Sequence, residues 1–243
     1  MSADHEVPPQ RSKALALLPS DAKPELLFLL FHGAGADAAQ MRPLAKALHE
    51  QYPRAAVLSL NGPEAFDAIP GGGSGWQWYS LAGANDENHG RRVADALPAF
   101  IASIRAWAEQ FELPWPRVAL AGFSQGAVMA LEAVQAELEL AGRVLAFGGG
   151  YATLPEHAPV DVSIHILHGL EDPVLPSEDQ VDAAKRLVQL GADVTADLLP
   201  GIGHELHPEL VKRALEQLQS FVPARVWREA MQAAQELEKD PDA

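Results

Sequence analysis

The sequence predicts an α/β fold in which a mostly parallel central sheet carries helices on both faces. Short continuous apolar runs recur along the chain, and such runs are typical of strands that are buried on both faces. They lie at residues 26–31, 55–60, 117–121, 143–147 and 162–167. Helical patterns separate the runs, and this alternation favours parallel strands that are joined by covering helices.

The segments between the runs supply the helices. Five apolar residues recur at helical spacing between the second and third runs: Val93, Leu97, Ile101, Ile104 and Ala108. A second helical pattern covers residues 181–190, and a strand-like segment follows at 193–199. The chain of 243 residues shows no internal repeat and no linker between two cores. We therefore expect a single domain over residues 1–243.

Composition excludes several classes of function. The net charge of −15 and the lack of a basic patch argue against a nucleic-acid partner. The chain contains no cysteine, which excludes disulfides, thiolate metal sites and a cysteine nucleophile and is compatible with a reducing compartment. We expect no export signal in residues 1–20, because the apolar run Ala14–Leu18 is too short, and no membrane span. These features together predict a cytoplasmic protein.

Two segments stand outside the alternating pattern. Residues 61–90 form a long connection that contains Trp76, Trp78 and Tyr79, and connections of this length are usually functional or disordered. The aromatic residues argue against disorder. Residues 224–238 predict an amphipathic C-terminal helix with one apolar stripe. Most such stripes cover their own domain, and the alternative is the contact of a homodimer.

The segment Gly122-Phe123-Ser124-Gln125-Gly126 carries the strongest chemical signal. This Gly-x-Ser-x-Gly pattern lies between a predicted buried strand and a predicted helix. A sharp turn at that point exposes a serine hydroxyl, and the two glycines let the strand and the helix approach the turn. The positive end of the helix would face the charge that develops on a substrate. A serine that only caps the helix is the alternative.

A nucleophilic serine needs a histidine base and an acid that orients it. Candidates for both follow Ser124 along the chain, the acid first and then the histidine, and each lies just beyond a predicted strand. Asp172 follows the run at 162–167, and adjacent Glu171 is its rival; Asp172 is preferred because Pro173 fixes its backbone. A turn-forming aspartate before proline is the structural alternative. His204 follows the segment at 193–199 in a glycine-rich loop. Two other histidines fit structural roles, since His207 precedes Pro208 at the start of a helix and His165 lies inside an apolar strand.

An oxyanion hole needs two backbone N–H groups. In this arrangement one comes from the residue after the nucleophile, Gln125, and the other from an early strand-to-helix loop. The loop 32–37, His-Gly-Ala-Gly-Ala-Asp, is the suitable candidate, because its glycines permit close approach of the backbone. Asp37 could cap the next helix at the same time.

Taken together, these motifs resemble the phospholipase/carboxylesterase family of α/β-hydrolases, which includes acyl-protein thioesterases, and most closely its small bacterial esterases. The resemblance covers residues 25–222. It rests on Phe31-His-Gly-Ala-Gly-Ala-Asp37, Gln77-Trp-Tyr-Ser80, Gly122-Phe-Ser-Gln-Gly126, His168-Gly-Leu-Glu-Asp-Pro-Val174 and Gly203-His204.

The resemblance implies a catalytic triad of Ser124, Asp172 and His204, and an oxyanion hole formed by the N–H groups of Ala34 and Gln125. It also implies a tryptophan, Trp78, beside the acyl pocket. Two departures are visible: the family often has a larger apolar residue at the position of Ala34, and a Phe-Asp pair in place of Tyr79-Ser80. These departures argue against specificity for long-chain thioesters.

The sequence therefore predicts a serine carboxylesterase that hydrolyses short-to-medium acyl esters through an acyl-enzyme, with no metal or organic cofactor. Trp78 and Tyr79 are the candidate substrate-binding residues, in a segment 61–90 that would form an aromatic wall over the site. The alternative for these aromatics is that they only anchor the segment. Rival functions are an acyl thioesterase and a non-catalytic binding module on a hydrolase scaffold.

Overall fold

A computed structural model describes residues 15–20, 22–68 and 73–239. The prediction that residues 1–20 hold no export signal falls largely on residues 1–14, which lie outside the described residues. Within the described ranges, no helix is both long enough and apolar enough to cross a membrane.

The strands and helices alternate along most of the chain. The strands are β1 (Leu15–Leu17), β2 (Leu26–Phe31), β3 (Ala55–Leu60), β4 (Glu64–Ala65), β5 (Trp76–Gln77), β6 (Val118–Phe123), β7 (Arg143–Phe147), β8 (Ser163–Gly169) and β9 (Asp193–Leu199). The helices are α1 (Arg42–Gln51), α2 (Asp86–Gln110), α3 (Gln125–Ala136), α4 (Ser177–Gln189), α5 (Pro208–Ser220) and α6 (Ala224–Lys239). Two 3₁₀ turns, Ala38–Met41 and Trp115–Arg117, precede α1 and β6.

Among the described residues, seven strands form the main sheet in the order β1-β3-β2-β6-β7-β8-β9. Strands β2, β3 and β6 to β9 pair in parallel, and only the short edge strand β1 is antiparallel, to β3. The predicted mostly parallel sheet is therefore confirmed. Because parallel strands point the same way, the residues that follow β2, β6, β8 and β9 meet at one edge of the sheet.

Apolar side chains cover both faces of the sheet. Along β2, alternate residues enter opposite cores: Leu27, Leu29 and Phe31 belong to one cluster, and Phe28 and Leu30 to the other. Helices α2, α3 and α4 supply the first cluster, and α1 and α5 supply the second. The apolar runs in the sequence are continuous because both faces of these strands are buried.

The connection 61–90 contains a small second sheet. Strands β4 and β5 pair antiparallel, and the isolated pairing of Ala36 with Trp76 attaches this hairpin to the loop after β2. Asp67 accepts hydrogen bonds from the Ser80 hydroxyl at 2.6 Å and from the Leu81 N–H at 3.1 Å. The described part of the connection is thus ordered by hydrogen bonds, as its aromatic residues suggested.

The C-terminal helix α6 spans Ala224–Lys239, beside the predicted bounds of 224–238. Its apolar stripe is exposed, with Val226 at 39% and both Trp227 and Met231 at 61% of their maximum accessible surface. The expectation that this stripe covers the parent domain is therefore wrong for these three residues. A homodimer stays a prediction from the sequence.

Candidate active site

Ser124 occupies a strained turn between β6 and α3. Its backbone has φ +52° and ψ −119°, a left-handed conformation that costs energy for any residue with a side chain. The Ser124 N–H donates to the carbonyl of Phe147 on the neighbouring strand at 2.9 Å, which fixes the turn against the sheet. The predicted strand, turn and helix are all present, and the Ser124 side chain makes no capping hydrogen bond to α3.

Two glycines make this turn sterically possible. A β-carbon on Gly122 would lie 2.2 Å from the backbone of Gly126, and one on Gly126 would lie 2.3 Å from the carbonyl oxygen of Phe31. Both distances are far below van der Waals contact, so a larger residue would force the backbone apart. The glycines at these two positions let helix α3 start directly against β2 and β6.

Ser124, His204 and Asp172 form a continuous hydrogen-bonded chain. The His204 Nε2 lies 3.0 Å from the Ser124 Oγ, and the His204 Nδ1 lies 2.7 Å from the Asp172 Oδ2. Ser124 follows β6, Asp172 lies three residues beyond β8, and His204 follows β9. The Asp172 side chain is fully buried, and that of His204 is 17% exposed. These distances match a nucleophile, its base and the acid that orients the base.

Asp172 is held as an ionised acceptor. Burial acts to raise the pKa of this carboxyl, but hydrogen bonds from the Leu175 N–H, from His204 and from the Val174 N–H outweigh burial and lower it. The two backbone N–H groups reach Oδ1 at 3.0 and 2.8 Å, which leaves Oδ2 for His204. The carboxylate therefore stays charged and fixes the imidazole with its proton on Nδ1 and its lone pair toward Ser124.

The rival residues take structural roles. Glu171 is exposed, and its carboxylate accepts hydrogen bonds from the Gly201 and Ile202 N–H groups at 2.6 and 3.2 Å. His207 caps α5, with its Nδ1 accepting from the Glu209 N–H at 3.2 Å. His165 is buried in β8, where its Nδ1 lies 2.8 Å from the Thr195 hydroxyl. Within the described residues, none of these three side chains hydrogen-bonds to Ser124.

Two backbone N–H groups beside Ser124 are available to a substrate. Within the described part of the chain, the N–H groups of Ala34 and Gln125 have no acceptor, whereas those of Gly33, Gly35 and Ala36 are all bonded. The loop lies against the elbow, because a β-carbon on Gly33 would come within 3.3 Å of the Ser124 Cβ. Asp37 caps the turn after this loop, accepting from the Ala39 N–H at 2.8 Å. These are the two N–H groups that the family resemblance implies for an oxyanion hole, and that role stays a prediction.

A network of buried hydrogen bonds holds this loop in place. His32 receives the Gly62 N–H on Nε2 at 2.9 Å, so its proton lies on Nδ1, which donates to the Gly33 carbonyl at 2.7 Å. Burial lowers the pKa of His32, which keeps the ring neutral and this pattern intact. The hairpin strand β5 adds main-chain bonds, from the Gly35 N–H to the Trp76 carbonyl at 2.9 Å and from the Trp76 N–H to the Ala36 carbonyl at 2.7 Å.

Trp78 and Tyr79 are buried anchors in this structure. Trp78 is 6% exposed, donates its indole N–H to the His32 carbonyl at 2.9 Å, and packs edge-on against Phe31 and Phe100. Tyr79 is 4% exposed, and its hydroxyl lies 2.9 Å from the His89 Nε2. These contacts favour the anchoring alternative over an aromatic wall, because both rings fill the core cluster beneath the loop.

Two further groups at the site were not predicted. The Gln125 side chain accepts the Trp78 N–H at 2.7 Å and donates to the Tyr79 carbonyl at 2.8 Å, which joins the elbow to the connection 61–90. His168 is fully buried, with its Nε2 3.0 Å from the Leu175 carbonyl and 3.5 Å from the Asp172 Oδ2. A His-Gly pair could have drawn attention to His168, because His168-Gly169 ends β8 and His32-Gly33 directly follows β2.

The arrangement suits acyl transfer. A hydroxyl beside a basic imidazole can attack a carbonyl carbon, and two free N–H groups can hold the oxygen that becomes negative. Among the described residues, no group of three histidine, aspartate or glutamate side chains could hold a metal ion. The polar groups at the site are a hydroxyl, an imidazole, a carboxylate and two N–H groups without an acceptor among the described residues.

Comparisons with known sequences agree with this geometry. The family model Phospholipase/Carboxylesterase matches residues 14–222. Esterase YpfH of Escherichia coli (strain K12) is 38% identical over 211 residues, which make up 87% of this chain and 89% of that protein. Acyl-protein thioesterase 1 of Gibberella zeae is 32% identical over 114 residues, 44% of this chain and 47% of that protein.

Solved structures show the same fold. Esterase PE8 superimposes with a TM-score of 0.76 at 23% identity, over 86% of this chain and 98% of that one. The Bacillus cereus carboxylesterase gives a TM-score of 0.69 at 21% identity, over 84% of this chain and 92% of that one. The fold class is thus confirmed as that of an α/β-hydrolase. The family match over most of the chain confirms the resemblance seen in the motifs, and the chain belongs to the phospholipase/carboxylesterase family.

Proposed function

We propose that this protein is a serine carboxylesterase that hydrolyses short-to-medium acyl esters, with Ser124 as nucleophile, His204 as base and Asp172 as orienting acid. The observation that carries the proposal is the hydrogen-bonded chain from Asp172 through His204 to a serine in a strained elbow. Membership of an esterase family supports the reaction class.

The mechanism follows from the atoms at the site. His204 Nε2 removes the proton from the Ser124 hydroxyl as its oxygen attacks the ester carbonyl carbon, and the C–O bond to the alcohol then breaks as His204 returns the proton to the leaving oxygen. Water repeats the sequence on the acyl-enzyme and releases the acid. The Asp172 carboxylate stabilises the imidazolium that forms in each half-reaction.

The oxyanion forms beside the N–H groups of Ala34 and Gln125. Both donors belong to backbone that is fixed before substrate binds, by the His32 network on one side and by helix α3 on the other. Donors that need no reorganisation are effective, and removing one from a comparable enzyme costs about 2.7–4 kcal/mol of transition-state stabilisation. The N-terminus of α3 adds a positive partial charge at the same point.

The proposed acyl range rests on differences from the family pattern. Ala34 stands where the family often has a larger apolar residue, and Tyr79-Ser80 replaces a Phe-Asp pair. Both differences lie beside the elbow, since Ala34 belongs to the oxyanion loop and Tyr79 bonds to Gln125. Direct contact of Trp78 or Tyr79 with the acyl chain stays a prediction from the resemblance. A cytoplasmic location also stays a prediction, which cell fractionation would test.

The test compares Ser124→Ala with Ser220→Ala on nitrophenyl esters of increasing acyl length. Ser124→Ala should lower kcat by at least about 10²-fold with an unchanged circular dichroism spectrum, given what triad knockouts cost. Ser220 is exposed at the end of α5, where its hydroxyl bonds to the Glu216 carbonyl, so its variant should keep full activity. A folded Ser124→Ala variant with near-normal turnover would show that the nucleophile is another group.

An acyl thioesterase is the second candidate, favoured by the matching segment of acyl-protein thioesterase 1. It would use the same residues, so the ratio of turnover on matched oxygen and sulfur esters decides between the two. A non-catalytic binding module is the third hypothesis. Labelling of Ser124 by a fluorophosphonate probe would exclude it, whereas absence of labelling in the folded protein would support it.

A further inference from the structure

A cavity of about 210 Å³ opens at the edge of the sheet opposite Ser124. Its lining includes the first residues of β2, β6 and β7, whereas the triad residues follow the carboxyl ends of strands. A six-residue strand with a rise of about 3.3 Å per residue separates the two edges by roughly 17–20 Å. The cavity is therefore not part of the site described above.

Three arginines line this cavity: Arg117, Arg143 and Arg225. Arg143 begins β7, and Arg225 lies in the first turn of α6 with its guanidinium 5.8 Å from the centre of the Trp115 ring. None of the three forms an ion pair among the described residues, although the chain as a whole carries a net charge of −15. Such a concentration of unpaired cations in an acidic protein indicates a site for a negative charge.

Two of these guanidinium groups also have unused donors. The Arg143 Nη2 donates to the Phe221 carbonyl at 3.1 Å, but within the described residues its Nη1 and the Arg225 Nε are buried without a hydrogen-bond partner. Burial lowers the pKa of Arg143, and the positive charge of Arg225 acts in the same direction. The Asp193 carboxylate, whose charge acts on Arg143, accepts the Ala224 N–H at 2.7 Å and forms no ion pair with Arg143 or Arg225.

Apart from Tyr52, the rest of the lining is apolar. Leu26, Phe28 and Leu218 are among the residues that face the cavity, together with Tyr52, whose ring packs 5.6 Å from that of Phe28. An inorganic anion would satisfy the guanidinium groups but leave this surface without contacts. A cavity of 150 Å³ is known to hold benzene, so about 210 Å³ has room for one small ring or a short branched chain with a charged head.

From this combination we infer that the cavity binds a small organic carboxylate, with its charged head on Arg143 and Arg225 and its apolar body against β2 and α5. Guanidinium groups bind carboxylates through paired, charge-assisted hydrogen bonds, and both arginines line the cavity. Binding would also offset the repulsion between the two arginines. This inference concerns the far edge of the sheet and does not depend on the proposed esterase activity.

The test is calorimetric titration of the full chain with sodium benzoate in a low-salt buffer. Wild-type protein should bind benzoate saturably at one site, and Arg143→Gln and Arg225→Gln should each weaken binding by roughly tenfold or more. Arg228→Gln is the matched control, because Arg228 lies one turn along α6 and pairs with Asp161. Its affinity should remain within about twofold of wild type. Arg225 lies on an exposed helix, so its variant decides the result even if Arg143→Gln fails to fold.

Two further ligands test the chemistry. Benzamide has the shape of benzoate without its charge, and inorganic phosphate has charge without the apolar body, so both should bind at least tenfold more weakly. The inference would be overturned if benzamide or phosphate bound as tightly as benzoate, or if benzoate did not bind. It would also be overturned if Arg143→Gln, Arg225→Gln and the control Arg228→Gln all lost the same affinity. Protein labelled first with a fluorophosphonate should bind benzoate unchanged, and loss of binding would place benzoate at Ser124 instead. If no labelling occurs, the proposed esterase activity fails while the arginine variants still decide this site.

Discussion

Replacing Asp172 with asparagine should disable the site while changing only one atom of the side chain. In the native protein Oδ1 accepts two backbone N–H groups and Oδ2 accepts the His204 Nδ1 proton, so every contact requires an acceptor. Asparagine has one acceptor oxygen and one amide nitrogen that only donates. One of its two orientations must therefore place a donor against a donor.

Both orientations lower activity, for different reasons. If the amide nitrogen faces the Val174 and Leu175 N–H groups, two buried hydrogen bonds are lost and the loop that holds the residue must shift. If it faces His204, the imidazole must accept on Nδ1, which moves the ring proton to Nε2 and removes the base that Ser124 requires. In comparable triads the wrong histidine tautomer lowers kcat by about 10⁴-fold. At about 1.36 kcal/mol per tenfold, this raises the activation free energy by about 5.5 kcal/mol.

The neighbouring carboxylate supplies the control. Glu171→Gln keeps an acceptor for the Gly201 and Ile202 N–H groups and should lower kcat by less than about fivefold. Steady-state rates on a short nitrophenyl ester, with unfolding curves for both variants, give the comparison. Equal losses in the two variants, or a larger loss in Glu171→Gln, would refute the assignment of Asp172 as the orienting acid.

Three other substitutions probe the elbow, the anchor and the core. Gly126→Ala should destabilise the fold by about 1–3 kcal/mol or more in urea unfolding, because the new β-carbon would lie 2.3 Å from a strand carbonyl; wild-type stability would contradict that geometry. Trp78→Phe removes the hydrogen bond to the His32 carbonyl and should lower kcat to a similar extent for esters of every acyl length. A shift of the preferred substrate toward longer acyl chains would instead support the alternative that Trp78 forms a wall of the acyl pocket. His165 is buried, and burial lowers its pKa from 6.5 to about 3. Below pH 6.5 the unfolded chain therefore binds a proton that the folded chain excludes, so the free energy of unfolding decreases as the pH is lowered. His165→Asn should remove about 2 kcal/mol of the loss of stability between pH 6.5 and about 4.5, as measured by urea unfolding at the two pH values, and an unchanged loss would contradict this reasoning.

The sheet was predictable because its physical cause is visible in the sequence. Strands β2, β3 and β7 lie at the predicted bounds, since strands that are buried on both faces consist almost entirely of apolar residues. The edge strand β1 was not predicted. Its three residues Leu15–Leu17 are partly exposed and give no signal beyond a short apolar run, and its pairing with β3 depends on a segment some forty positions away.

The site was predictable to the level of loops, and its finer geometry was not. The order of Ser124, Asp172 and His204 places each residue after a strand, and parallel strands bring those ends together. Adjacent carboxylates, by contrast, have the same chemistry and nearly the same position, so only the turn after β8 shows that Asp172 points to His204 and Glu171 does not. For Trp78 the sequence offered two alternatives, because an aromatic side chain that anchors a loop and one that lines a pocket both have to be apolar.

Gln125 shows how the separate parts of the site depend on one another. Its backbone N–H is a proposed oxyanion donor, and its side chain bonds to the main chain of Trp78 and Tyr79. Trp78 in turn bonds to the carbonyl of His32, in the loop that carries the second proposed donor on Ala34. The two donors are therefore joined by a continuous path of buried hydrogen bonds and backbone that passes through the connection 61–90. Because buried polar groups are costly to leave unpaired, a shift of either donor would break a bond elsewhere in this path, and the spacing between the donors is fixed before a substrate arrives.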